Sequence, residues 1–250
     1  MQDRGSASYL AEFLGTLMLV LFICLVVSEF VLLPSQALPV PFVDWSVIGL
    51  AHVFILFVLI QSLAVVSGAH FNPAVTVAMI TLRQIKPADA VIYILAQLAG
   101  AVAAALIVKL LLNHFPNAEL VNYGAVGISP RLDDKILLAM LAEFIGTFAL
   151  VFAIMGAAVD PRTDRALGPL AIGAVLGVGV MVMGPLTGAG FNPARAFGPA
   201  LVSGSWGGFG HFVWPYVVAP LIGAVAAALA YLHLFITPGA KGPEGLEPVG

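Results

Sequence analysis

The residues best equipped for chemistry in this chain come as two matching sets. Ser67-Gly68-Ala69-His70-Phe71-Asn72-Pro73-Ala74 is echoed by Thr187-Gly188-Ala189-Gly190-Phe191-Asn192-Pro193-Ala194, and Arg195 follows the second set directly. An Asn ahead of a Pro has the form of a helix cap: its side-chain oxygen accepts a free backbone N–H, and Pro in the first turn has none to lose. The NH2 of each Asn is then available to donate to an oxygen passing by. Apart from Arg195, no fixed charge occurs between Arg165 and Lys241. An Arg in such surroundings is a functional candidate by default, because it must face a cavity or pair with acceptors.

The elements that must carry these sets follow from composition. Of the 250 residues, 61% are hydrophobic and 9% charged, against roughly 25% charged in ordinary soluble domains. The chain reads as an all-α, multi-pass integral membrane protein with the lipid bilayer as its surroundings. A net charge of −3 argues against a nucleic-acid partner. Cys24 is the only cysteine, so no internal disulfide is available. No cleavable leader is read at the start, since 1–8 is short and polar and the first apolar run already has span length.

Spans are expected over 9–31, 45–66, 90–112, 136–159, 168–185 and 211–236. Between them lie a Pro-rich loop over 33–44, a polar loop over 113–135 and a Gly- and Pro-rich tail over 237–250, read as disordered. No fixed charge separates Asp44 from Arg83. That gap is too long for one span and too short for two, so a full span is followed by a half-helix over 73–82. About ten helical residues reach roughly 15 Å, half of a hydrocarbon core of roughly 30 Å. A second half-helix begins at Pro193. Entering from opposite sides, the two would meet at the centre with their positive ends facing each other.

The echo extends beyond the boxes. Leu10-Ala11-Glu12-Phe13-Leu14-Gly15-Thr16 returns as Leu141-Ala142-Glu143-Phe144-Ile145-Gly146-Thr147, and Tyr93 to Leu106 returns as Tyr216 to Leu229. The chain therefore reads as one domain over 1–250, made of repeats at about 9–112 and 136–236. Three spans per repeat, an odd number, make the second repeat upside down relative to the first. Basic residues set the orientation: Arg4, Arg83, Lys86, Arg162, Arg165 and Lys241 fall on the side of both termini, against Arg131, Lys135 and Lys109 opposite. Both termini are thus expected in the cytoplasm, and the membrane is read as the plasma membrane.

With its paired boxes and the Arg after the second, the chain resembles the aquaporins and aquaglyceroporins, the major intrinsic proteins, from Ala11-Glu12-Phe13 to about Tyr231. The resemblance implies six transmembrane helices plus two re-entrant half-helices, passive conduction of water and small neutral solutes, a homotetramer, no cofactor and no metal. It implies a pore lined by Asn72, Pro73, Ala74, Asn192, Pro193 and Ala194, and a selectivity ring of His52, Val180, Ala189 and Arg195. At His52 water-selective relatives carry Phe and glycerol channels Trp. The ring here resembles that of plant vacuolar-membrane aquaporins, which pass water with ammonia or urea. Its small walls imply a wider opening, with His52 and Arg195 as two polar donors. Against glycerol stand Ala196 and Ala200, where glycerol facilitators carry Asp and a basic residue; for it stands the lead-in Met183-Gly184-Pro185-Leu186-Thr187-Gly188. Glu12 and Glu143 are implied acceptors for loop amides, with His70 and Gln97 as further braces. An alternating-access transporter shares inverted repeats and broken helices, but coupling needs an ion-binding cluster where the boxes supply only amides. The Gly-rich stretches follow no strand and form no phosphate cradle, so no enzyme is read.

Overall fold

The computed structural model describes residues 5–35, 44–115 and 117–237. The readings placed on Arg4, on 36–43, on Pro116, on Lys241 and on the tail beyond Thr237 lie outside them. The described residues are helical, without a strand. The elements are α1 (Ser6–Ser35), α2 (Trp45–Ser67), α3 (Pro73–Thr81), α4 (Pro87–Leu112), α5 (Ile136–Val159), α6 (Gly168–Thr187), α7 (Pro193–Ser203) and α8 (Phe209–Ile236). All but α3 and α7 are long and apolar enough to cross a membrane. They are apolar on every side, and their outer faces expose Leu10, Phe54, Val65 and Leu137, as lipid-facing helices do.

Several boundaries differ from the sequence reading, and α6 runs through Pro185 to Thr187. α1 runs past 31 to Ser35 and takes Pro34 into its last turn, where the missing N–H costs one bond in a fraying end. α4 starts earlier, with Pro87 in its first turn. The loop between α4 and α5 is less irregular than expected. It holds a 3-10 segment over Ala118–Gly124, which packs against α1, α4 and α7. α5 ends in a π turn, Met155–Val159, and α8 contains π turns at Trp214–Val218 and Leu232–Ile236.

The packing repeats. α1 lies on α4 as α5 lies on α8, α4 lies on α7 as α8 lies on α3, and α2 meets α6 at the centre. Glycines permit the closest of these approaches, since a Cβ on Gly100 would strike the Phe13 carbonyl and one on Gly223 the Phe144 carbonyl. At the centre, Gly177 faces the Gly49 carbonyl and Gly173 the Val53 carbonyl. Lipid offers no hydrophobic drive between helices, so close backbone contact supplies dispersion energy instead.

One end of the bundle is clipped by charge. Asp160, directly after α5, accepts Nε and Nη2 of Arg162 at 2.9 and 2.6 Å and the Tyr231 hydroxyl at 3.3 Å. The Arg162 bonds outweigh burial and hold the Asp160 carboxyl at about 2, below its ordinary 3.8. Because the folded value lies below the unfolded one, the clip stabilises fully above about pH 4 and fades as pH falls to about 2.

Two outcomes are expected. Gly100→Val lowers stability by at least the roughly 1–3 kcal/mol typical of overpacking, because the colliding atom is backbone; denaturant titration in detergent micelles reads it. Asp160→Asn lowers the melting midpoint at pH 7, and the gap to the parent protein closes between pH 4 and pH 2; a gap that persists at pH 2 refutes the clip.

Candidate functional site

The site begins with two loops that turn back inside the bundle. Each leaves its long helix through a left-handed glycine, Gly68 at φ 85° and Gly188 at φ 77°. Each then alternates through left-handed Ala69 and Phe71 (52° and 48°), or Ala189 and Phe191 (49° and 50°). Such residues cost of order 1–3 kcal/mol each and persist only where their surroundings over-determine them.

Here the surroundings are two buried carboxylates. Glu12 Oε1 accepts Ser67 Oγ at 2.6 Å and His70 N at 2.9 Å, while Oε2 accepts Phe71 N at 2.7 Å. Glu143 repeats this with Thr187 Oγ1 at 2.6 Å, Gly190 N at 2.8 Å and Phe191 N at 2.7 Å. Tyr93 and Tyr216 hydroxyls donate to the carbonyls of Ser67 and Thr187. Phe71 and Phe191 are seated against Gly15 and Gly146, where a Cβ would overlap each ring. The carboxylates thus pair backbone donors that would otherwise be orphaned away from water.

The first loop carries an extra polar buttress. Gln97 Nε2 donates to Glu12 Oε2 at 2.8 Å and to Thr76 Oγ1 at 3.0 Å. Thr76 Oγ1 in turn donates to the Asn72 carbonyl at 3.1 Å and lies 3.1 Å from His70 Nδ1. Since the hydroxyl's one hydrogen goes to the carbonyl, His70 Nδ1 donates to it.

The two caps meet. Asn72 Oδ1 accepts Ala74 N at 2.9 Å, and Asn192 Oδ1 accepts Ala194 N at 3.0 Å. Each amide then crosses to the other loop: Asn72 Nδ2 donates to the Phe191 carbonyl at 2.9 Å, and Asn192 Nδ2 to the Phe71 carbonyl at 2.8 Å. This uses one N–H of each NH2 and leaves one for the cavity. The N-termini of α3 and α7 therefore face each other, with Pro73 and Pro193 in their first turns.

A cavity of about 510 Å³ runs past this junction. One end is bordered by His70, Gln84 and Arg165, the middle by Asn72 and Asn192, and the far end by His52, Ala189 and Arg195. Leu19, Ile23, Leu56, Ile60, Leu150, Ile172 and Leu176 supply an apolar wall. Val180, 1% exposed, belongs to the buried cluster around Ile48 and Ala189, while Leu176 lines the cavity. Ala196 and Ala200 pack with Val126, Phe212 and Tyr216, so the residue types weighed against glycerol act on packing behind the cavity.

At the far end, the backbone N–H of Arg195 goes to Asn192 Oδ1 at 3.2 Å and its Nη1 to the Gly124 carbonyl at 2.8 Å. Its Nε has no hydrogen-bond partner among the described residues. His52 Nδ1 lies 2.7 Å from the Ile48 carbonyl. A carbonyl only accepts, so Nδ1 carries the hydrogen and the neutral ring presents Nε2 as an acceptor. The expected pair of donors is instead one donor, Arg195, and one acceptor, His52.

Sequence reasoning missed the apolar wall, Gln84, Arg165 and Gly124. The wall was legible in principle, since Leu56 lies one turn from His52 and Leu176 one turn from Val180. The Gly124 carbonyl carried no such signal, because every residue has one. Among the described residues no group of His, Cys, Asp or Glu is arranged to hold a metal ion.

Glu12→Gln and Glu143→Gln each replace an accepting oxygen with a donor facing a backbone N–H. Each is expected to cost about 1–3 kcal/mol per donor left unpaired, and Glu12→Gln, with more bonds at stake, costs more. Denaturation midpoints in detergent check both, and unchanged midpoints refute the bracing role.

The sequence and the fold are both shared with known proteins. The family described as "Major intrinsic protein" matches residues 3–231. The chain is 40% identical over 191 residues to a probable aquaporin, TIP3-2, of Arabidopsis thaliana, covering 76% of this chain and 67% of that one. It is 36% identical over 238 residues to aquaporin AqpM of Methanothermobacter thermautotrophicus, covering 90% and 96%. Its fold matches the X-ray structure of the aquaglyceroporin from Plasmodium falciparum with a TM-score of 0.78 at 24% identity, over 93% of this chain and 97% of that one.

Proposed function

The chain belongs to the major intrinsic protein family, and on that premise we propose that it is a passive channel for water and small neutral solutes, ammonia or urea among them. The observation that carries this reading is the cavity leading from His70, Gln84 and Arg165 past both cap amides to His52, Ala189 and Arg195.

His52, Ala189 and Arg195 act as the selecting ring, with Val180 backing it from the buried cluster. A solute here sheds part of its water and is met by a donor on one side and an acceptor on the other. Water, ammonia and urea can each accept from Arg195 while donating an O–H or N–H to His52. A small wall at Ala189 leaves room for a solute larger than water. At the junction, the remaining N–H of Asn72 and of Asn192 binds the oxygen of a passing molecule, and the facing N-termini of α3 and α7 repel cations. The apolar wall offers an ion nothing in place of its lost hydration shell.

The two halves, 9–112 and 136–236, act as inverted repeats of one channel unit, as their matched carboxylate, tyrosine and glycine contacts favour. The excess of Arg and Lys at the Arg165 end favours a cytoplasmic location for that end and for both termini. Assembly as a homotetramer, which the family resemblance implies, and a location in the plasma membrane complete the reading.

Stopped-flow light scattering on proteoliposomes tests the channel. Vesicles carrying the protein are expected to shrink severalfold faster than empty ones, with a low activation energy. Urea-driven reswelling and ammonia-driven alkalinisation of an internal dye are likewise expected to accelerate. His52→Phe is expected to cut urea and ammonia flux severalfold while retaining most water flux. Solute flux equal to that of empty vesicles refutes the ammonia and urea part, and equal water flux refutes the channel.

A further inference from the structure

Gly124, whose carbonyl holds Arg195, ends a run of three left-handed residues: Asn122 at φ 48°, Tyr123 at φ 50° and Gly124 at φ 78°. Two are not glycine, and consecutive left-handed residues with side chains need outside support. The support is visible on three sides. Lys109 Nζ lies 5.5 Å from the centre of the Tyr123 ring, within cation–π range. Val121 and Tyr123 are buried in one cluster with Val20, Cys24 and Ala194. Beneath the run, a Cβ built on Gly124 would lie 2.8, 2.9 and 3.0 Å from Cα, Cβ and Sγ of Cys24. The backbone of the run therefore rests directly on Cys24, which is fully buried.

We propose that Cys24 is a positioning residue for the selecting ring: its side-chain volume sets how far the Gly124 carbonyl stands from α1, and through that bond where Arg195 sits in the cavity. The chain of contact is short. Cys24 touches Gly124, Gly124 accepts Arg195 Nη1 at 2.8 Å, and the backbone of Arg195 is pinned by Asn192. A guanidinium held at both its backbone and one nitrogen moves when either anchor moves. A residue larger than Cys at 24 lifts the carbonyl away from α1, and the guanidinium follows or loses its partner. Either response changes the width and the donor geometry of the ring without touching His52 or Ala189. Close packing makes this transmission stiff, since the backbone of Gly124 sits against a fully buried Cys24 and a well-packed core resists added volume.

The inference rests on the proposed channel reading, and the readout keeps the two apart. Cys24→Val and Cys24→Leu are reconstituted in liposomes, and urea and water permeabilities are measured on the same vesicles at matched protein content. The urea-to-water ratio is expected to change at least twofold in both variants, in the same direction and more for Leu. The same substitutions in an Arg195→Ala background are expected to leave the ratio of that background unmoved. Phe22→Leu, on the lipid-facing side of α1, serves as the control for general loosening and keeps the parent ratio. An unchanged ratio in Cys24→Val and Cys24→Leu overturns the proposal, as does a shift that persists without the Arg195 side chain. If even Cys24→Val cannot be recovered folded, the seat serves stability rather than selection and the proposal also falls. Absence of water conduction in the parent protein defeats the channel reading instead.

Discussion

The structure hangs on a reciprocal exchange at its centre: each cap asparagine donates across to the carbonyl of the other's loop, Asn72 to Phe191 and Asn192 to Phe71. Backbone that is not helical can exist deep in a membrane protein only if its polar groups are answered inside the protein or by water. The crossing answers one carbonyl in each loop and ties the starts of two short helices together. Neither α3 nor α7 is long enough to be stable alone. Their ends are fixed by each other and by the carboxylates behind them, and the cavity beside them inherits that rigidity. A passage with mobile walls could not hold one N–H from each amide in a constant place.

The duplication is exact where the loops must be held and inexact where they meet the solute. Glutamate, hydroxyl, tyrosine, glycine and asparagine recur in both halves with bonds of nearly equal length. The first half then adds Gln97, Thr76 and His70. Aligned on Tyr93 and Tyr216, the counterpart of Gln97 is Pro220, and aligned on Asn72 and Asn192, those of Thr76 and His70 are Ala196 and Gly190, which offer no such side chains. In exchange, the second half places Arg195 in the first turn of α7 and sends it to a loop outside the repeat. The polar equipment at the two ends of the cavity is therefore different, although the scaffold that presents it is the same.

A polar seam facing an apolar wall is the economical arrangement for a neutral solute. The seam restores a few hydrogen bonds in sequence, and the wall withholds the many that an ion requires. Residues far from the cavity act on this balance through packing. Gly15 and Gly146 admit the phenyl rings that anchor the loops, and Cys24 bears the loop that steers Arg195. Small side chains, which carry no chemistry, thereby set the positions of those that do.

Much of this was legible in the residues alone. Charge-free stretches of defined length dictated full spans and half-spans. The doubled boxes dictated facing caps, because these follow from local pattern, and the echo of Glu12 in Glu143 marked a matched pair of buried acids whose role as acceptors was implied by the family resemblance. Tertiary structure decided what depends on neighbours distant in sequence. The hydrogen on His52 is placed by the Ile48 carbonyl, making an acceptor where a donor was expected. Leu176 lines the cavity and Val180, one turn further along the same face of α6, lies in the buried cluster with Ile48 and Ala189, a division set by the neighbouring helices. Arg195 is aimed by the carbonyl of Gly124, and a carbonyl looks the same in every residue of a sequence, so only the folded chain could say which one is within reach.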